Sequence, residues 1–206
     1  MKKWKCTICS YIHVGDNPPD VCPECGVGPE FFEEIAGGEA EPENKLAPEE
    51  REAAKQAIYK ISYGLYIVGS PKGEKINAQV CNTVFQITSE PMRVAIGINK
   101  GNLTAEHIQA SGVFSVNILG MEAHSLVRRF GYRSGREFDK FKGIKYTAGK
   151  TGAPLLQDCL GYLECQVLKD KVVDCGTHWL FVADVVGGKL LENADPMTYD
   201  YYRKTK

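Results

Sequence analysis

The sequence predicts a mainly β (α+β) protein in two parts, a small metal-stapled knuckle domain followed by an antiparallel β-barrel with a few helices. Three observations predict it: two Cys-x-x-Cys knuckles near the start, an acidic stretch with Gly and Pro after them, and a long run of short β-rich segments with little helix between. With 206 residues, 43% hydrophobic and 25% charged, the composition is globular and sized for one small and one ordinary domain.

Residues 1–36 hold too little apolar surface to fold unaided, so something must staple them. Cys6, Cys9, Cys22 and Cys25 supply four thiolates at knuckle spacing, the ligand set of a tetrahedral metal site. Ligand count alone suits zinc or a single iron equally. Trp4, Tyr11, Phe31 and Phe32 surround the knuckles, and an aromatic shell that limits water favours iron, whose redox potential it tunes. A structural zinc ribbon is the alternative. No apolar leader follows Met1-Lys2-Lys3, so disulfide pairing is disfavoured and a reducing, cytoplasmic location is expected. No run approaches the roughly 18 apolar residues of a membrane span. Neither a membrane nor a nucleic-acid partner is expected.

Residues 37–47 lack apolar periodicity, and their Gly, Pro and repelling glutamates predict an acidic flexible linker between a 1–36 domain and a 48–206 domain. About ten such residues reach roughly 18 Å when flexible and about 35 Å when stretched. Charge divides unevenly. Residues 1–36 carry three lysines against six acids, residues 37–50 one lysine against five, and residues 51–206 21 basic against 15 acidic side chains, which gives −3, −4 and +6. Acidic-on-basic docking of the small module, weakened by salt, is one expectation, and acids that only keep a mobile module soluble are the other.

The larger domain opens on a helix: Pro48 suits a first helical position, Glu49, Glu50 and Glu52 favour its positive end, and Ala54, Ala57, Ile58 and Ile61 recur on one face until Gly64. Residues 65–70, 75–88, 92–99, 113–119, 160–168, 171–174 and 178–186 then read as strands. Turns are expected at Pro71-Lys72-Gly73-Glu74 and at Lys169-Asp170, and further helices only at 103–111 and 121–130. Many short, closely connected strands predict an antiparallel barrel. No Gly-x-Gly-x-x-Gly follows a strand, so a nicotinamide is not held by that fingerprint.

Several strings are characteristic in their order: Asn77-Ala78-Gln79-Val80-Cys81-Asn82-Thr83, Ile98-Asn99-Lys100-Gly101-Asn102-Leu103-Thr104, Phe130-Gly131-Tyr132-Arg133-Ser134-Gly135 with Asp139-Lys140-Phe141, Gly176-Thr177-His178 and Tyr201-Tyr202-Arg203. From Ile58 to Tyr202 the chain resembles the flavin reductase-like, FMN-binding Greek-key split-barrel proteins. From Trp4 to Glu34 it resembles rubredoxin, in the short-spaced form found in rubrerythrin-like proteins. The resemblance implies FMN, one iron in four thiolates, NAD(P)H as substrate and a homodimer.

A flavin phosphate needs amides, hydroxyls and a cation, which Asn99, Lys100, Asn102 and Thr104 offer at a helix start; capping by Asn102 or Thr104 is the competing role. Asn77, Gln79, Val80, Cys81, Asn82 and Thr83 are expected beside the ring, or else as an ordinary strand. Phe130, Ser134 and Lys140 are expected on a Gly-bounded loop closing over ring or phosphate. His178 is a candidate nicotinamide or flavin contact, although Thr177 stands where the family carries an acid. Arg133, Arg136 and Lys142 read as solvated, Arg128-Arg129 as complementing a helix end, and Cys81, Cys159, Cys165 and Cys175 as small buried hydrophobes.

Hydride donors deliver two electrons and a single iron accepts one, a mismatch that a flavin resolves. The expected function is therefore electron transfer from NAD(P)H through FMN to the cysteine iron and on to a protein acceptor, with a flavodiiron protein as the partner that analogy suggests. The alternatives are a flavin or ferric reductase releasing reduced flavin, and a carrier without nicotinamide activity.

Overall fold

The structure is a computed structural model that describes residues 2–8, 11–35 and 46–206. The chain divides into two compact units, Met1–Ala47 and Pro48–Lys206. Most of the expected linker, and Cys9 with it, lies outside the described residues.

In the first unit β1 (Lys2–Cys6) pairs antiparallel with β2 (Ile12–Gly15) on one side and with β3 (Phe32–Ile35) on the other. A single 3₁₀ turn at Pro29–Phe31 feeds β3. The Trp4 indole donates to Gly15 O at 3.2 Å, so this aromatic ties β1 to the end of β2.

The second unit begins with α1 (Pro48–Ile58), whose side chains are all partly or fully exposed. It ends earlier than the apolar spacing predicts, since Lys60 N and Ile61 N bond three residues back, to Ala57 O and Ile58 O, and tighten the last turn. Strands β4 (Tyr66–Lys72), β5 (Lys75–Cys81), β6 (Val84–Ser89) and β7 (Met92–Asn99) follow, then α2 (Leu103–Ser111), β8 (Val113–Ile118) and α3 (His124–Gly131). A short pair, β9 (Tyr146–Ala148) with β10 (Pro154–Leu156), precedes the long β11 (Gly161–Asp174) and β12 (His178–Leu190), and α4 (Tyr199–Thr205) closes the unit.

Seven strands form one antiparallel sheet in the order β5-β4-β8-β11-β12-β7-β6. Its two edge strands, β5 and β6, are consecutive in the chain and joined through Asn82-Thr83. That corner brings the sheet's ends together: Gly97 N of β7 donates to Thr83 O at 3.1 Å, and Cys81 Sγ lies 3.6 Å from Gly97 O. The result is a mainly β split barrel. The segment 75–88, expected as one strand, is thus two strands broken at the seam.

The expected turn at Lys169-Asp170 is absent. Both Gly161–Val167 and Val172–Asp174 pair with β12, and the intervening residues are taken up by a register shift inside one strand. The reversal lies at residues 175–177 instead, whereas the turn between β4 and β5 falls where expected, with Lys72 opposite Lys75.

One apolar cluster, centred on Phe114, Phe181, Ile96 and Ile98, fills the barrel. A second, with Phe130, Leu119, Leu156 and Met197, packs α3 and α4 against β4 and β5. Each such side chain, fully buried, stabilises the fold by about 1.5–3 kcal/mol. Asn117 pins β10 onto the sheet: its amide donates to Ile67 O at 3.0 Å and to Pro154 O at 3.3 Å, and its Oδ1 accepts from Leu156 N at 2.8 Å.

Candidate functional site

Three described cysteines converge. The Sγ atoms of Cys6, Cys22 and Cys25 lie within 4.8 Å of one another, and Cys6 and Cys25 are 3.7 Å apart at sulfur. A tetrahedron with metal–sulfur bonds of about 2.3 Å has edges of about 3.8 Å, so this spacing fits a four-thiolate centre. Backbone bonds hold the geometry: Gly26 N donates to Cys22 O and Cys22 N to Val27 O, both at 2.8 Å, and Cys6 N donates to Tyr11 O at 2.8 Å. Gly26 sits at φ 71°, a left-handed conformation in which a side chain would be strained. Cys6 and Cys22 are buried and Cys25 is half-buried. The fourth expected ligand, Cys9, is outside the described residues.

In the barrel, many of the expected cofactor residues meet where β5, the start of α2 and the start of β12 come together. Asn77 Nδ2 donates to Thr104 Oγ1 at 2.8 Å, and Asn102 Nδ2 donates to Gln79 Oε1 at 3.1 Å, two rungs from β5 to α2. Asn102 occupies the N-cap position of α2, yet its side chain makes no cap bond, and Thr104 is buried against Asn77. Side-chain capping is therefore the role of neither residue. Asn99 stands opposite His178 in the β7–β12 register, and its Oδ1 accepts from Gly101 N at 2.9 Å. Lys100 N donates to Thr177 O at 3.0 Å, which joins the two turns.

Lys100 Nζ sits 2.5 Å from Asp174 and 4.4 Å from the centre of the Trp179 ring, and its hydrogen bond holds the Asp174 carboxyl below the usual carboxylate range. Sequence reasoning missed both neighbours, although an acid two residues before Gly176 is a turn signal. His178 Nδ1 lies 2.8 Å from Thr177 Oγ1, so the threonine orients the ring in place of the family's acid. Burial lowers the His178 pKa and favours the neutral imidazole. Cys81 is buried at the seam, its thiol pushed up to about 12, while Thr83 and Asn82 touch through their side chains at 3.4 Å.

The third string is placed differently from the expectation. Phe130 lies in α3 and is fully buried, with its ring centre 5.2 Å from that of Phe141. It is core because α3 extends through Gly131 and turns this residue inward. Lys140 is also buried, with Nζ donating to Phe130 O at 2.9 Å and to Ala78 O at 3.0 Å, which clamps the loop to α3 and β5. Desolvation lowers its pKa to about 8. Ser134 stays on the loop, where Arg136 N donates to its hydroxyl at 3.2 Å. Arg129 donates through Nε to Lys140 O at 2.6 Å and through its guanidinium to Lys142 O, so it fastens this loop as well. Arg136 pairs with Glu106, and Arg133 lies 4.4 Å over Phe138, so neither is simply solvated. Cys159 and Cys165 are buried as expected, but Cys175 is exposed because it sits on the β11–β12 reversal.

The flavin reductase like domain family matches residues 58–206, and the rubredoxin-like domain of rubrerythrin matches residues 4–33. The chain belongs to the flavin reductase-like family. It carries a rubredoxin-like domain ahead of the flavin reductase-like one. A high molecular weight rubredoxin of Moorella thermoacetica is 46% identical over 153 residues, 73% of this chain and 66% of that protein. A ferric-chelate reductase (NAD(P)H) of Archaeoglobus fulgidus is 43% identical over 153 residues, 73% of this chain and 89% of that protein. A diflavin flavoprotein of Synechocystis is 31% identical over 151 residues, 26% of its own length. The chain thus spans about two thirds or less of two of these relatives. Among solved structures, the NADH:FAD oxidoreductase of Streptomyces globisporus superposes with a TM-score of 0.68 at 20% identity, covering 79% of this chain and 96% of that one. At that identity the likeness establishes the fold.

The flavin reductase-like domain has a donor set that suits an anionic aromatic cofactor. The first amides of α2 are not capped by a side chain, Lys100 precedes the helix by three residues with its ammonium paired to Asp174, and the side-chain amides of Asn77 and Gln79 are held by their α2 partners. Gly135 keeps the loop close to that seam, since a Cβ there would overlap Asn77 Oδ1. Among the described residues, no helix is long and apolar enough to cross a membrane.

Proposed function

We propose that the chain is an electron-transfer oxidoreductase in which NAD(P)H reduces FMN held by the barrel and single electrons pass to an iron held by Cys6, Cys9, Cys22 and Cys25. One observation carries the reading: a thiolate set with tetrahedral spacing occurs in one chain with a flavin reductase-like domain. Bound FMN would supply two-electron acceptance and one-electron release, the conversion a single-iron centre requires.

The protein's own part is positioning. The start of α2 with Lys100 would hold the phosphate, and the rungs Asn77–Thr104 and Gln79–Asn102 fix the polar groups of β5 for the ring. Main-chain groups of Cys81, Asn82 and Thr83, at the corner where Thr83 O accepts from Gly97 N, would be the ring's backbone neighbours. Val80 packs inward with the second core cluster and would act only through its backbone. His178, neutral and oriented by Thr177, would meet the ring or nicotinamide as a hydrogen-bond partner rather than as a cation. Phe130 and Lys140 act as support for β5. The electrons leave to a protein acceptor, for which a flavodiiron protein is the candidate, and the working form is a homodimer in the cytoplasm.

Anaerobic titration of the metal-loaded, flavin-loaded protein with NADH and NADPH tests this. Flavin and ferric-thiolate bands should both bleach, with uptake of about three electrons per chain. Bleaching by neither nicotinamide ends the oxidoreductase reading, and one equivalent of zinc in the purified protein ends the relay.

The 43% identity to a ferric-chelate reductase favours a second reading, in which the barrel reduces a ferric chelate directly. A Cys22→Ser variant separates the two: undiminished chelate reduction with lost transfer to a protein acceptor supports both activities, whereas loss of both assigns chelate reduction to the cysteine centre.

A further inference from the structure

Lys100 stands three residues ahead of α2, and its ammonium is held from two sides. Nζ lies 2.5 Å from Asp174 Oδ1 and 4.4 Å from the centre of the Trp179 ring. Among the described residues, Asp174 is the one carboxylate within ion-pair distance of it. With the Lys100 and Asp174 side chains 31% and 56% exposed, the pair is open to water, so an incoming anion can compete for the ammonium. The same Asp174 Oδ1 also accepts from Gly176 N at 2.8 Å, which closes the β11–β12 reversal.

These two roles of Asp174 use different properties. A neutral amide oxygen can accept from Gly176 N as a carboxylate oxygen does, whereas only the carboxylate neutralises Lys100. The turn around Lys100 has supports of its own: Lys100 N donates to Thr177 O at 3.0 Å, and Asn99 Oδ1 accepts from Gly101 N at 2.9 Å. The face of Trp179 attracts the ammonium whether or not Asp174 is charged. Removing the charge of Asp174 therefore leaves Lys100 in place and unneutralised.

We infer that Asp174 is a counterion that competes with the flavin phosphate for Lys100, and so weakens the barrel's hold on a phosphorylated flavin while leaving the binding of the ring itself untouched. This rests on the reading of Lys100 and the start of α2 as the holders of the phosphate. A phosphate monoester brings a charge of about −1.5 to −2 at neutral pH and meets the pair as a second, stronger anion. Riboflavin has the same ring and no phosphate, so it does not sense the pair. Such a brake sets how long reduced FMN stays on the protein, the property that separates an internal relay from a reductase that gives its flavin up.

Equilibrium titration of FMN and of riboflavin into the full, metal-loaded chain, followed by flavin fluorescence, tests the assignment. Asp174→Asn should tighten FMN by about three- to tenfold at low salt, by less at about 1 M salt, and leave riboflavin within about twofold of wild type. Asp174→Ser, whose hydroxyl can also accept from Gly176 N, is the second charge-free variant and should reproduce the gain. Lys100→Met should weaken FMN by about threefold or more, again without moving riboflavin, and in that background the gain from Asp174→Asn should fall to about twofold or less. FMN affinity unchanged or lowered in both charge-free variants, an equal shift for riboflavin, or the full gain persisting without Lys100 each overturns the assignment. Uptake of neither flavin overturns the flavin reading and this inference together, whereas FMN uptake indifferent to Asp174 overturns the inference alone.

Discussion

Among the described residues of the first unit, the buried apolar side chains are Cys6, Cys22, Val27 and Phe32, and two of these belong to the thiolate cluster. The second unit buries Phe114, Phe130, Phe181, three isoleucines at β7 and β4, and many more, in two clusters that need no ligand to hold them. One unit therefore folds around a metal, and the other folds by removing apolar surface from water. The difference teaches where each is vulnerable. Loss of an ion should abolish the first and spare the second, and a cavity cut into the core should do the reverse.

The largest expected effect is metal removal. Chelation of the full chain, or Cys22→Ser, should collapse amide dispersion for residues 2–35 while leaving the barrel's own unfolding transition in place. Persistence of native β1–β2–β3 amide shifts in metal-free protein would break the comparison at its root.

Next comes the core. Phe130→Ala should cost the barrel about 3–5 kcal/mol, as is usual for a fully buried ring, and leave the visible spectrum of the metal centre unchanged. Denaturant unfolding followed by tryptophan fluorescence and by the metal bands would show the two effects separately. A cost below about 1 kcal/mol would mean that Phe130 faces a void or a ligand rather than core.

How much of the fold and site is legible in the amino-acid sequence follows from the range of each interaction. Knuckle spacing is local, so Cys6, Cys22 and Cys25 can be assigned together from their positions in the chain. Strands 92–99 and 178–186 alternate or run apolar over enough residues to be read, and the order of short strings locates the barrel. Phe130 and Lys140 escape such reading because their environment is set across the fold, by Phe141 and by the carbonyl of Ala78 62 residues away. Polar neighbours make the loop look solvated, and nothing local shows that a lysine amine will turn inward. The β11 register shift is hidden for the same reason, since Lys169-Asp170 resembles a turn until β12 pairs on both sides of it.

A smaller effect sharpens the account of the barrel alone. Lys140 titrates at about 8 in the folded protein against 10.5 unperturbed, because burial disfavours its charged form. Between those values the unfolded chain binds the proton and the folded one does not, so stability contributed at this site rises with pH from about 8 to 10.5. At about 1.4 kcal/mol per pKa unit, the ceiling is about 3 kcal/mol. Cys81 and Cys165, both pushed up to about 12, act oppositely above pH 9, since their thiols ionise first in the unfolded chain. The difference between wild type and Lys140→Met cancels the cysteines and isolates the lysine. Charged groups facing it are Arg129 of α3, Lys75 of β5, and Arg136, Glu137 and Asp139 of its own loop. A flat difference across that interval would mean that the amine is solvated and that the clamp on Ala78 is not held in solution.

The smallest expected effect asks whether surface charge contributes to either unit. Arg93 and Asp184 join β7 to β12 at 2.7 Å, with side chains 29% and 38% exposed, and Lys2 and Glu34 join β1 to β3 at 2.7 Å with about half of each side chain exposed. Exposed pairs are typically worth about 0.2–1 kcal/mol, because water screens them and two long side chains must be ordered. Asp184→Asn should therefore lower barrel stability by no more than about 1 kcal/mol, and by less at 1 M salt. The Asp184 site lies at the outer end of a strand pair already fixed by seven register pairs from His178 to Asp184, so the ladder does not depend on this ion pair. A loss above about 2 kcal/mol, undiminished by salt, would show that charge holds the barrel where apolar burial is expected to hold it.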